Sequence, residues 1–371
     1  MSRTPGPSSI LHILVHVAPT NGQYHEHCLP LAHERRITIC ALRRSSVVPP
    51  PEVTLLDGDG TVHRGLRLLR RALDHDDYEV VHAHAPASGA LLLAANLSRR
   101  RGMARCVFTM QNSYRNYRLR NRLLLVPIFA AFPAIVLCSE TVRDTLPRVL
   151  RVLGGSRITV VPNAVDLARI DRILAGTTMS RTGDPFTVVS VGRLVDIKNP
   201  FTLLDAFLLS GPDNSRLVVV GDGPRRRRLQ AAVEAVRQPP DVTFTGLVDR
   251  DDVYRRVAHA DLYVSASYGE GLPVAVLEAM ACSRPVVLSD IPPHREIARG
   301  ADFIPLVPAD DAEAFAQQIR RFRAMPADER AAVGRACRGL VENRYGITAM
   351  HASLNSVYRR LTATTAEGGS S

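Results

Sequence analysis

The sequence predicts an α/β protein built from two doubly wound domains in series. Short apolar runs rich in β-branched residues alternate with stretches of helical spacing, the pattern of βαβ units and parallel sheets. This alternation occurs twice, before and after a polar stretch at residues 175–185. A chain of 371 residues with 46% apolar residues is also longer than one ordinary core requires and suits two domains.

The first domain is predicted over residues 1–165. Its strands are expected at residues 10–18, 37–42, 79–83, 106–110, 134–138 and 158–161. Helical spacing between them predicts helices at residues 65–74, 88–100 and 140–153.

The second domain is predicted over residues 166–345, after a linker near residues 165–185. Strands are expected at residues 186–191, 216–220, 242–245, 262–265, 285–288 and 303–306, and helices at 201–209, 225–237, 251–259 and 273–281. Residues 364–371 are rich in small polar residues and predict a disordered tail. Because such folds bind ligands beyond the carboxyl ends of their strands, the site is expected in a cleft between the domains.

Composition predicts a cytoplasmic protein. Six cysteines are scattered without CxxC spacing, which favours reduced thiols over disulfides or a zinc site. The first nine residues lack the charged and apolar pattern of a signal peptide. The longest apolar run, residues 123–138, contains two prolines and is shorter than the roughly 20 residues of a membrane-spanning helix.

Positive charge is concentrated in the first domain. The net charge is +11, and residues 1–165 hold 21 arginines against 11 acids. A basic half indicates an anionic partner, such as a membrane surface, an acidic lipid, a phosphorylated molecule or nucleic acid. The alternative is an arginine-rich face that is simply solvated. No RNA- or DNA-binding module is recognisable, so nucleic acid is not expected as a partner. A basic aromatic stretch at residues 114–122 precedes an apolar stretch at 123–132, which suits either peripheral contact with an anionic membrane or a packed helix with arginines in water.

Two cations follow the first strand of the second domain. Arg193 leaves the strand within Gly192-Arg193-Leu194, and Lys198 opens the next helix. Cations at a strand-to-helix turn suit a diphosphate, although both could be solvated surface residues. Lys198 is the single lysine among 47 basic residues, which indicates that a compact ammonium group is required there.

Two glutamates bracket an apolar helix later in the same domain. Glu270 lies in a glycine-flanked loop after a strand, and Glu278 lies two helical turns further along. A loop carboxylate can reach sugar hydroxyls, and a helical carboxylate can accept both hydroxyls of a ribose. Each residue alone could instead be an ordinary helix charge. Earlier in the chain, between Lys198 and Glu270, Gly221-Asp222-Gly223-Pro224 lacks a third glycine and predicts turn geometry, not a dinucleotide fingerprint.

These motifs resemble the large family-four group of GT-B retaining glycosyltransferases. The resemblance rests on Gly192-Arg193-Leu194 with Lys198, on Gly221-Asp222-Gly223-Pro224, and on Glu270 and Glu278 with seven residues between them. It implies the GT-B architecture, two Rossmann-like domains facing a central cleft. It also implies transfer of a hexose-type sugar from a nucleotide diphosphate to an acceptor hydroxyl with retention of configuration. The residues do not identify the acceptor, and we expect a membrane lipid or a cell-envelope or exopolysaccharide precursor.

The resemblance also implies a role for each site residue. Arg193 and Lys198 would hold the diphosphate, Glu278 the ribose, and Glu270 the transferred sugar. Backbone near Val248 would meet the base, and backbone at Leu272, Pro273 and Val274 the phosphate and sugar. The last helix, near residues 346–363, is expected to pack back on the first domain.

The first domain contributes two further candidates. His84, in the His82-Ala83-His84 run at the end of a strand, matches a histidine that the family often places near the donor sugar. Gly22 lies where many relatives carry two glycines near the phosphates, but Asn21 replaces the first of them. A His-x-His pair could bind metal, yet the sequence shows no third ligand, so neither a metal nor another cofactor is expected. The alternatives are a nucleotide-sugar epimerase on the same fold or a catalytically silent sugar-nucleotide-binding protein.

Overall fold

The computed structural model describes residues 8–97, 103–176, 184–211 and 213–367, with the backbone alone for 364–367. The chain divides into two compact units. The first comprises Met1–Asn163 and Ile347–Ser371, and the second comprises Ala164–Gly346. Parts of three predicted segments lie outside the described residues: the end of the helix at 88–100, most of the polar stretch at 175–185, and residues 368–371 of the tail.

The first unit contains a parallel sheet, of which seven strands lie in the described residues. Their order across the sheet is β3-β2-β1-β4-β5-β6-β7. Strands in the middle of this sheet are almost wholly buried, because helices cover both faces and every side chain then points into packed protein. The strands are β1 Ser9–Leu14, β2 Arg36–Ala41, β3 Val53–Asp57, β4 Val80–Ala83, β5 Cys106–Met110, β6 Ala134–Leu137 and β7 Ile158–Val160.

Helices connect β3 through β7 in chain order, and such parallel crossovers are right-handed as a rule. The connections from β4 through β7 all step across the sheet in the same direction, which places their helices on one face of it. Neighbouring helices of this layer pack side by side, α1 on α2, α2 on α3 and α3 on α5. The helices are α1 Val62–His75, α2 Pro86–Asn96, α3 Leu119–Ala131, α4 Glu140–Asp144 and α5 Arg148–Gly154.

The last helix of the chain also belongs to the first unit. In chain order it is α14, Ile347–Glu367, and its helical backbone continues four residues into the segment for which a tail was predicted. The Tyr358 hydroxyl forms a 2.8 Å hydrogen bond with His82 on β4. His351 bonds to the carbonyl of Glu26 at 2.6 Å, and Arg35 donates to Asn355 at 2.8 Å. Side-chain bonds therefore attach this helix to several segments of the first unit.

The second unit contains another parallel sheet, with six strands among the described residues. Their order is β10-β9-β8-β11-β12-β13. The chain builds outward from β8 to one side and then returns to build on the other side, which creates a topological switch point between β8 and β11. The strands are β8 Phe186–Val191, β9 Ser215–Val220, β10 Asp241–Gly246, β11 Leu262–Ser265, β12 Val286–Ser289 and β13 Leu306–Val307.

The core of the second unit forms between this sheet and its helices. Phe186 and Val188 of β8, Phe207 of the first following helix, and Phe315 and Phe322 near the end of the unit share one buried cluster. The helices are α6 Leu167–Leu174, α7 Pro200–Leu209, α8 Arg226–Glu234, α9 Arg250–Ala258, α10 Val274–Ala281, α11 Pro292–Ile297, α12 Ala312–Ala324 and α13 Ala327–Arg344.

The predicted fold class of two doubly wound α/β domains is confirmed, with three local corrections. The edge strand β3 was missed, because it follows three prolines and is only partly buried. The single helix predicted at 140–153 is two helices, since Pro147 disfavours helical geometry at the residue before it. The last strand of the second sheet is β13, Leu306–Val307, at the end of the segment predicted at 303–306.

Two further sequence-based points can be compared with the structure. All six cysteines are buried, as expected for thiols that pack in cores. In the part of the chain that the structure describes, no helix is both long and apolar enough to cross a membrane.

Candidate active site

The predicted donor residues follow the central strands of the second sheet. Arg193 and Lys198 come after β8, and Glu270 comes after β11, its neighbour across the switch point. In parallel sheets the carboxyl ends of neighbouring strands meet at one edge, which is where such folds bind ligands. The topology therefore brings residues 72 positions apart into one site.

Lys198 and Glu270 form a direct ion pair. The Lys198 ammonium group donates a 2.6 Å hydrogen bond to Oε1 of Glu270, and Ser267 donates to the same oxygen at 2.7 Å. The side chain of Lys198 is 26% exposed and that of Glu270 is 10% exposed. The pair is thus largely withdrawn from water, and Lys198 is the more exposed of the two side chains.

Backbone geometry holds Lys198 in this position. A turn of 3₁₀-helix, Asp196–Lys198, ends at Asn199, whose φ of 49° lies in the left-handed region that asparagine tolerates well. The Asn199 side chain donates to the carbonyl of Ala309 at 2.8 Å. The Tyr268 amide donates to the Ile197 carbonyl at 2.8 Å, which joins the Lys198 turn to the Glu270 loop.

The charge state of Glu270 reflects competition between burial and cations. Burial would raise the pKa of this carboxyl, but Lys198, His294 and the Ser267 hydroxyl together hold the pKa of Glu270 below its ordinary value. Burial lowers the pKa of His294 to about 4, against the opposing influence of Glu270. At neutral pH the site therefore holds a carboxylate, an ammonium group and a neutral imidazole.

The glycine-rich turn after β9 docks against the Arg193 loop. Gly221 has φ of 132°, and a Cβ atom there would stand 2.1 Å from the Gly192 carbonyl oxygen. At Gly223 a Cβ atom would stand 2.5 Å from the Leu194 carbonyl oxygen. The predicted turn geometry is therefore required for this close approach. Arg193 is exposed and lines a small cavity together with Lys198, Gly192 and Ser267.

Glu278 lies on α10 in a separate, buried polar cluster. Its side chain is 8% exposed and forms an ion pair with Arg250, which is 7% exposed. The Tyr254 hydroxyl donates to the same oxygen, Oε1, at 2.9 Å, and Arg250 donates to Tyr254 at 2.7 Å. A buried carboxylate requires such partners, because an uncompensated buried charge is costly.

The residues expected to contribute backbone contacts lie in loops or at a helix start. Val248 is half-buried in the connection from β10 to α9. Leu272 and Pro273 are buried just before α10, and Val274 is its first residue. Pro273 has no amide hydrogen, so this loop offers one donor fewer than a generic sequence would.

His84 belongs to a cluster of buried histidines in the first unit. It follows β4, and its ring stacks on His82 with 3.9 Å between ring centroids. A nitrogen of His84 shares a 2.9 Å hydrogen bond with His12, which β1 places opposite His82. His27 lies edge-on to His84 at 5.2 Å. Burial holds the pKa of each of these rings well below the usual value, so all four are neutral at neutral pH.

Three of these rings lie close enough to hold a metal ion. One nitrogen each from His12, His82 and His84 lies within 4.8 Å of the others, so pairing of β1 with β4 supplies the third ligand that the sequence did not show. Both nitrogens of His82 are engaged, however, by Tyr358 at 2.8 Å and by Thr109 at 2.5 Å. His82 could bind a metal only if one of these hydrogen bonds broke, because a coordinating nitrogen has no lone pair left for a hydrogen bond. The expectation that the protein needs no metal stays a prediction.

Gly22 begins a short helical segment, Gln23–Cys28, with ordinary helical φ and ψ. Asn21, which replaces the first glycine of the family pattern, accepts a 3.0 Å hydrogen bond from the Tyr24 amide. Its side-chain amide donates to the His16 carbonyl at 2.8 Å. Asn21 therefore fixes the start of this segment.

The structure thus brings together some of the predicted residues and separates others. Arg193, Lys198 and Glu270 share one site in the second unit, Glu278 lies in a neighbouring buried cluster of that unit, and His84 and Gly22 belong to the first unit. The sequence did not single out Arg250 or His294. Arg250 falls in a run of charged residues that reads as an exposed helix, and its burial depends on packing between α9 and α10.

Two protein-family models match the chain. Residues 179–339 match the model of "Glycosyl transferases group 1", and residues 17–169 match that of "Glycosyltransferase Family 4". The two matches together span most of the chain and correspond to its two units.

Two curated relatives illustrate the likeness in sequence. The chain is 28% identical to the putative glycosyltransferase EpsD of Bacillus subtilis, over 70% of this chain and 71% of the relative. It is 27% identical to the phosphatidyl-myo-inositol mannosyltransferase of Propionibacterium freudenreichii, over 60% of this chain and 55% of the relative. The chain thus matches little more than half the length of the second relative.

Two solved structures share the fold. Sucrose-phosphate synthase from Thermosynechococcus elongatus aligns with a TM-score of 0.76 and 19% identity over 96% of this chain and 99% of that protein. HepE from Anabaena, solved with UDP-glucose, aligns with a TM-score of 0.70 and 16% identity over 96% and 99%. The chain therefore belongs to the group 1 glycosyltransferases of the GT-B type, which take their donor as a nucleotide sugar.

Proposed function

We propose that this protein transfers a hexose-type sugar from a nucleotide diphosphate to an acceptor hydroxyl, with retention of configuration. The ion pair of Lys198 and Glu270 carries the proposal, because it joins a cation and a carboxylate at the switch point, where such folds bind ligands. We assign the ammonium group to the diphosphate and the carboxylate to hydroxyls of the transferred sugar.

In this mechanism the leaving group is stabilised electrostatically. Lys198 and Arg193 offset the charge that grows on the diphosphate as the bond from the sugar to its oxygen breaks. The acceptor hydroxyl attacks from the same face and gives its proton to the departing phosphate, which retains the anomeric configuration. No metal is required, because the two cations supply the positive charge.

The remaining contacts divide between the two units. We assign the ribose hydroxyls to Glu278, whose position Arg250 and Tyr254 hold. Backbone near Val248 would meet the base, and backbone at residues 272–274 the phosphate and sugar. From the first unit, His84 would face the donor sugar as a neutral imidazole, and Gly22 would approach the phosphates.

The proposed acceptor is a hydroxyl on a membrane lipid or on a cell-envelope or exopolysaccharide precursor, and the proposed location is the cytoplasm at the inner membrane face. One relative is a phosphatidyl-myo-inositol mannosyltransferase, and another is a putative colanic acid biosynthesis glycosyltransferase from Escherichia coli. These names support a lipid or an envelope polysaccharide as the acceptor class.

Release of free nucleotide tests the reaction type. We expect a nucleotide sugar to yield nucleoside diphosphate on addition of a lipid-linked or polysaccharide acceptor, and NMR of the product to show the donor's anomeric configuration. Replacing Lys198 or Glu270 with alanine should lower turnover by orders of magnitude, about 10²–10³-fold for a lost electrostatic contact. Sugar interconversion without acceptor would favour an epimerase, and binding without turnover a silent protein. Near-normal activity in either variant would contradict the role of that residue.

A further inference from the structure

Exposed apolar side chains are concentrated on two neighbouring helices of the first unit. Leu119 is 70% exposed, Leu123 63% and Val126 41%, and all three lie on α3. On α5, Val149 is 55% and Val152 73% exposed. Among the described residues, most other large apolar side chains with such exposure lie singly, which is normal for a soluble surface.

The three exposed residues of α3 form one stripe along the helix. Leu119, Leu123 and Val126 are spaced four and three residues apart, so they share a face. Leu125, Ile128 and Phe129 form the opposite face and are fully buried. The apolar stretch that the sequence left open between a membrane surface and a packed helix therefore packs with one face and exposes apolar side chains on the other.

The exposed faces of α3 and α5 point to the same side of the unit. Both helices cover the same face of the sheet and pack against each other. Arg157, just after α5, donates hydrogen bonds to the carbonyls of Phe129 at 2.9 Å and Phe132 at 2.5 Å, which anchors the end of α5 to that of α3. Since each helix buries its sheet-facing side, their exposed residues form one outer surface, here called the α3–α5 surface.

Arginines surround this surface with little compensating charge. Residues 113–157 contain eight arginines and two acids. Both acids, Glu140 and Asp144, pair with Arg143 on α4. The exposed arginines of the helices and the turn before them are Arg115, Arg118, Arg120, Arg148 and Arg151.

We propose that the α3–α5 surface docks on an anionic lipid bilayer. Exposed leucine and valine side chains suit shallow insertion at the boundary between headgroups and acyl chains. The exposed arginines of α3, of α5 and of the turn before α3 form no ion pair within the described part of the chain, and such arginines complement anionic headgroups. Neither feature suffices alone, since one weak signal gives only marginal, reversible binding and stable attachment generally needs two. The inference rests on the membrane location in the proposed function and adds the surface that makes the contact, which provides none of the proposed donor contacts.

Vesicle sedimentation of the full chain tests the proposal without donor or acceptor. We expect binding to vesicles of phosphatidylcholine with phosphatidylglycerol, weaker binding as salt rises, and little binding to phosphatidylcholine alone. Replacing Arg120, Arg148 and Arg151 together with glutamine should lower the partition coefficient by on the order of a hundredfold, at about fivefold per arginine. The matched control is the triple glutamine variant of exposed arginines of the second unit, Arg227, Arg255 and Arg335, which should bind like wild type.

The apolar contribution is tested in the same assay. Leu123→Ser with Val152→Ser should lower binding by about tenfold or more, whereas Val48→Ser with Leu209→Ser, at other exposed sites, should not. Circular dichroism would verify that each variant is folded. Binding to neutral vesicles as strong as to anionic ones, equal losses in the control variants, or no binding to any vesicle would overturn the proposal. Such results would leave donor binding by the second unit, which is measured separately, unaffected.

Discussion

Removal of the Lys198 ammonium group should destabilise the protein through Glu270, and it should do so in a pH-dependent way. In Lys198→Met the Glu270 carboxylate stays buried but loses its cation. Breaking a buried ion pair at one partner costs about 3–5 kcal/mol. Because Lys198 is 26% exposed and Ser267 still donates to the carboxylate, we expect about 2–3 kcal/mol. For a domain of this size that corresponds to about 5–10 °C in melting temperature.

The sign of the pH dependence follows from the direction of the pKa shift. In the wild type the folded pKa of Glu270 lies below its unfolded value. Its contribution to stability is therefore present above the unfolded pKa, about 4.3, and is lost as pH falls through the folded pKa. In Lys198→Met burial becomes the dominant influence and raises the pKa, so protonation relieves the destabilisation as pH falls. The stability gap between wild type and variant should be widest near pH 7 and narrow below about pH 5.

Calorimetry suits this measurement, since the chain contains no tryptophan. The double variant Lys198→Met with Glu270→Gln should recover most of the lost stability while remaining inactive, because no buried charge is left unpaired. Arg225→Met, which breaks an exposed ion pair with Asp196, is the matched control and should cost less than about 1 kcal/mol. A double variant no more stable than Lys198→Met, or a gap independent of pH, would refute the coupling between Lys198 and Glu270.

Three further predictions concern other parts of the fold. Gly221→Ala should lower the free energy of unfolding by about 1–3 kcal/mol and weaken donor binding, because its Cβ atom would meet a backbone oxygen at 2.1 Å. Gly339→Ala, with open space around it, is the control and should not destabilise the protein. Thermal unfolding and nucleotide titration would compare the two variants. Tyr358→Phe should lower the free energy of unfolding by about 1 kcal/mol or more, measured by denaturant titration, since it leaves one nitrogen of the buried His82 ring without a hydrogen-bond partner. Stability should also fall steeply below pH 6, because burial holds the pKa of His12 and of His27 at about 3 in the folded state. Between that value and the unfolded pKa of about 6.5, the unfolded state binds more protons than the folded state. Urea unfolding at pH 7 and pH 5 should differ by about 2 kcal/mol for each histidine, and equal stabilities would contradict the burial of these rings.

The pattern of apolar residues along the sequence predicted most of the fold, because buried parallel strands are continuous apolar runs that can be recognised in a sequence. It failed at β3, whose residues are partly exposed and follow prolines, and at Pro147, where the apolar pattern continues through a break in the helix. Both failures have a local cause. In each case the hydrophobic pattern and the backbone preference point in different directions.

The sequence predicted those residues of the candidate site that stand out by their type or by their local sequence. Lys198, as the single lysine, and Glu270, in its glycine-flanked loop, were found from the sequence, and the structure joins them at 2.6 Å. Arg250 and His12 were not found, because their importance lies in pairing across elements that are distant in sequence. A buried arginine in a charged run resembles its exposed neighbours until tertiary packing is known.

The same limit applies to the apolar stretch at residues 123–132. Its composition allowed a membrane contact or a packed helix, and the choice depends on which side chains face the sheet. The structure buries Leu125 and Phe129 and exposes Leu123 and Val126. The neighbouring valines of α5 became relevant once the packing of α5 on α3 was known.

Nucleotide-dependent thermal stabilisation tests the central claim, that the Lys198 site holds the diphosphate of the donor, most directly. Wild type and Lys198→Ala would each be melted with UDP, GDP and ADP and with their sugar conjugates. At a hundredfold excess over the dissociation constant, binding should stabilise the wild type by about 2.7 kcal/mol, or about 5–10 °C. We expect one nucleotide to produce this shift in the wild type and to lose it in Lys198→Ala. An equal shift in both proteins, or no shift with any nucleotide, would contradict the assignment of the donor site.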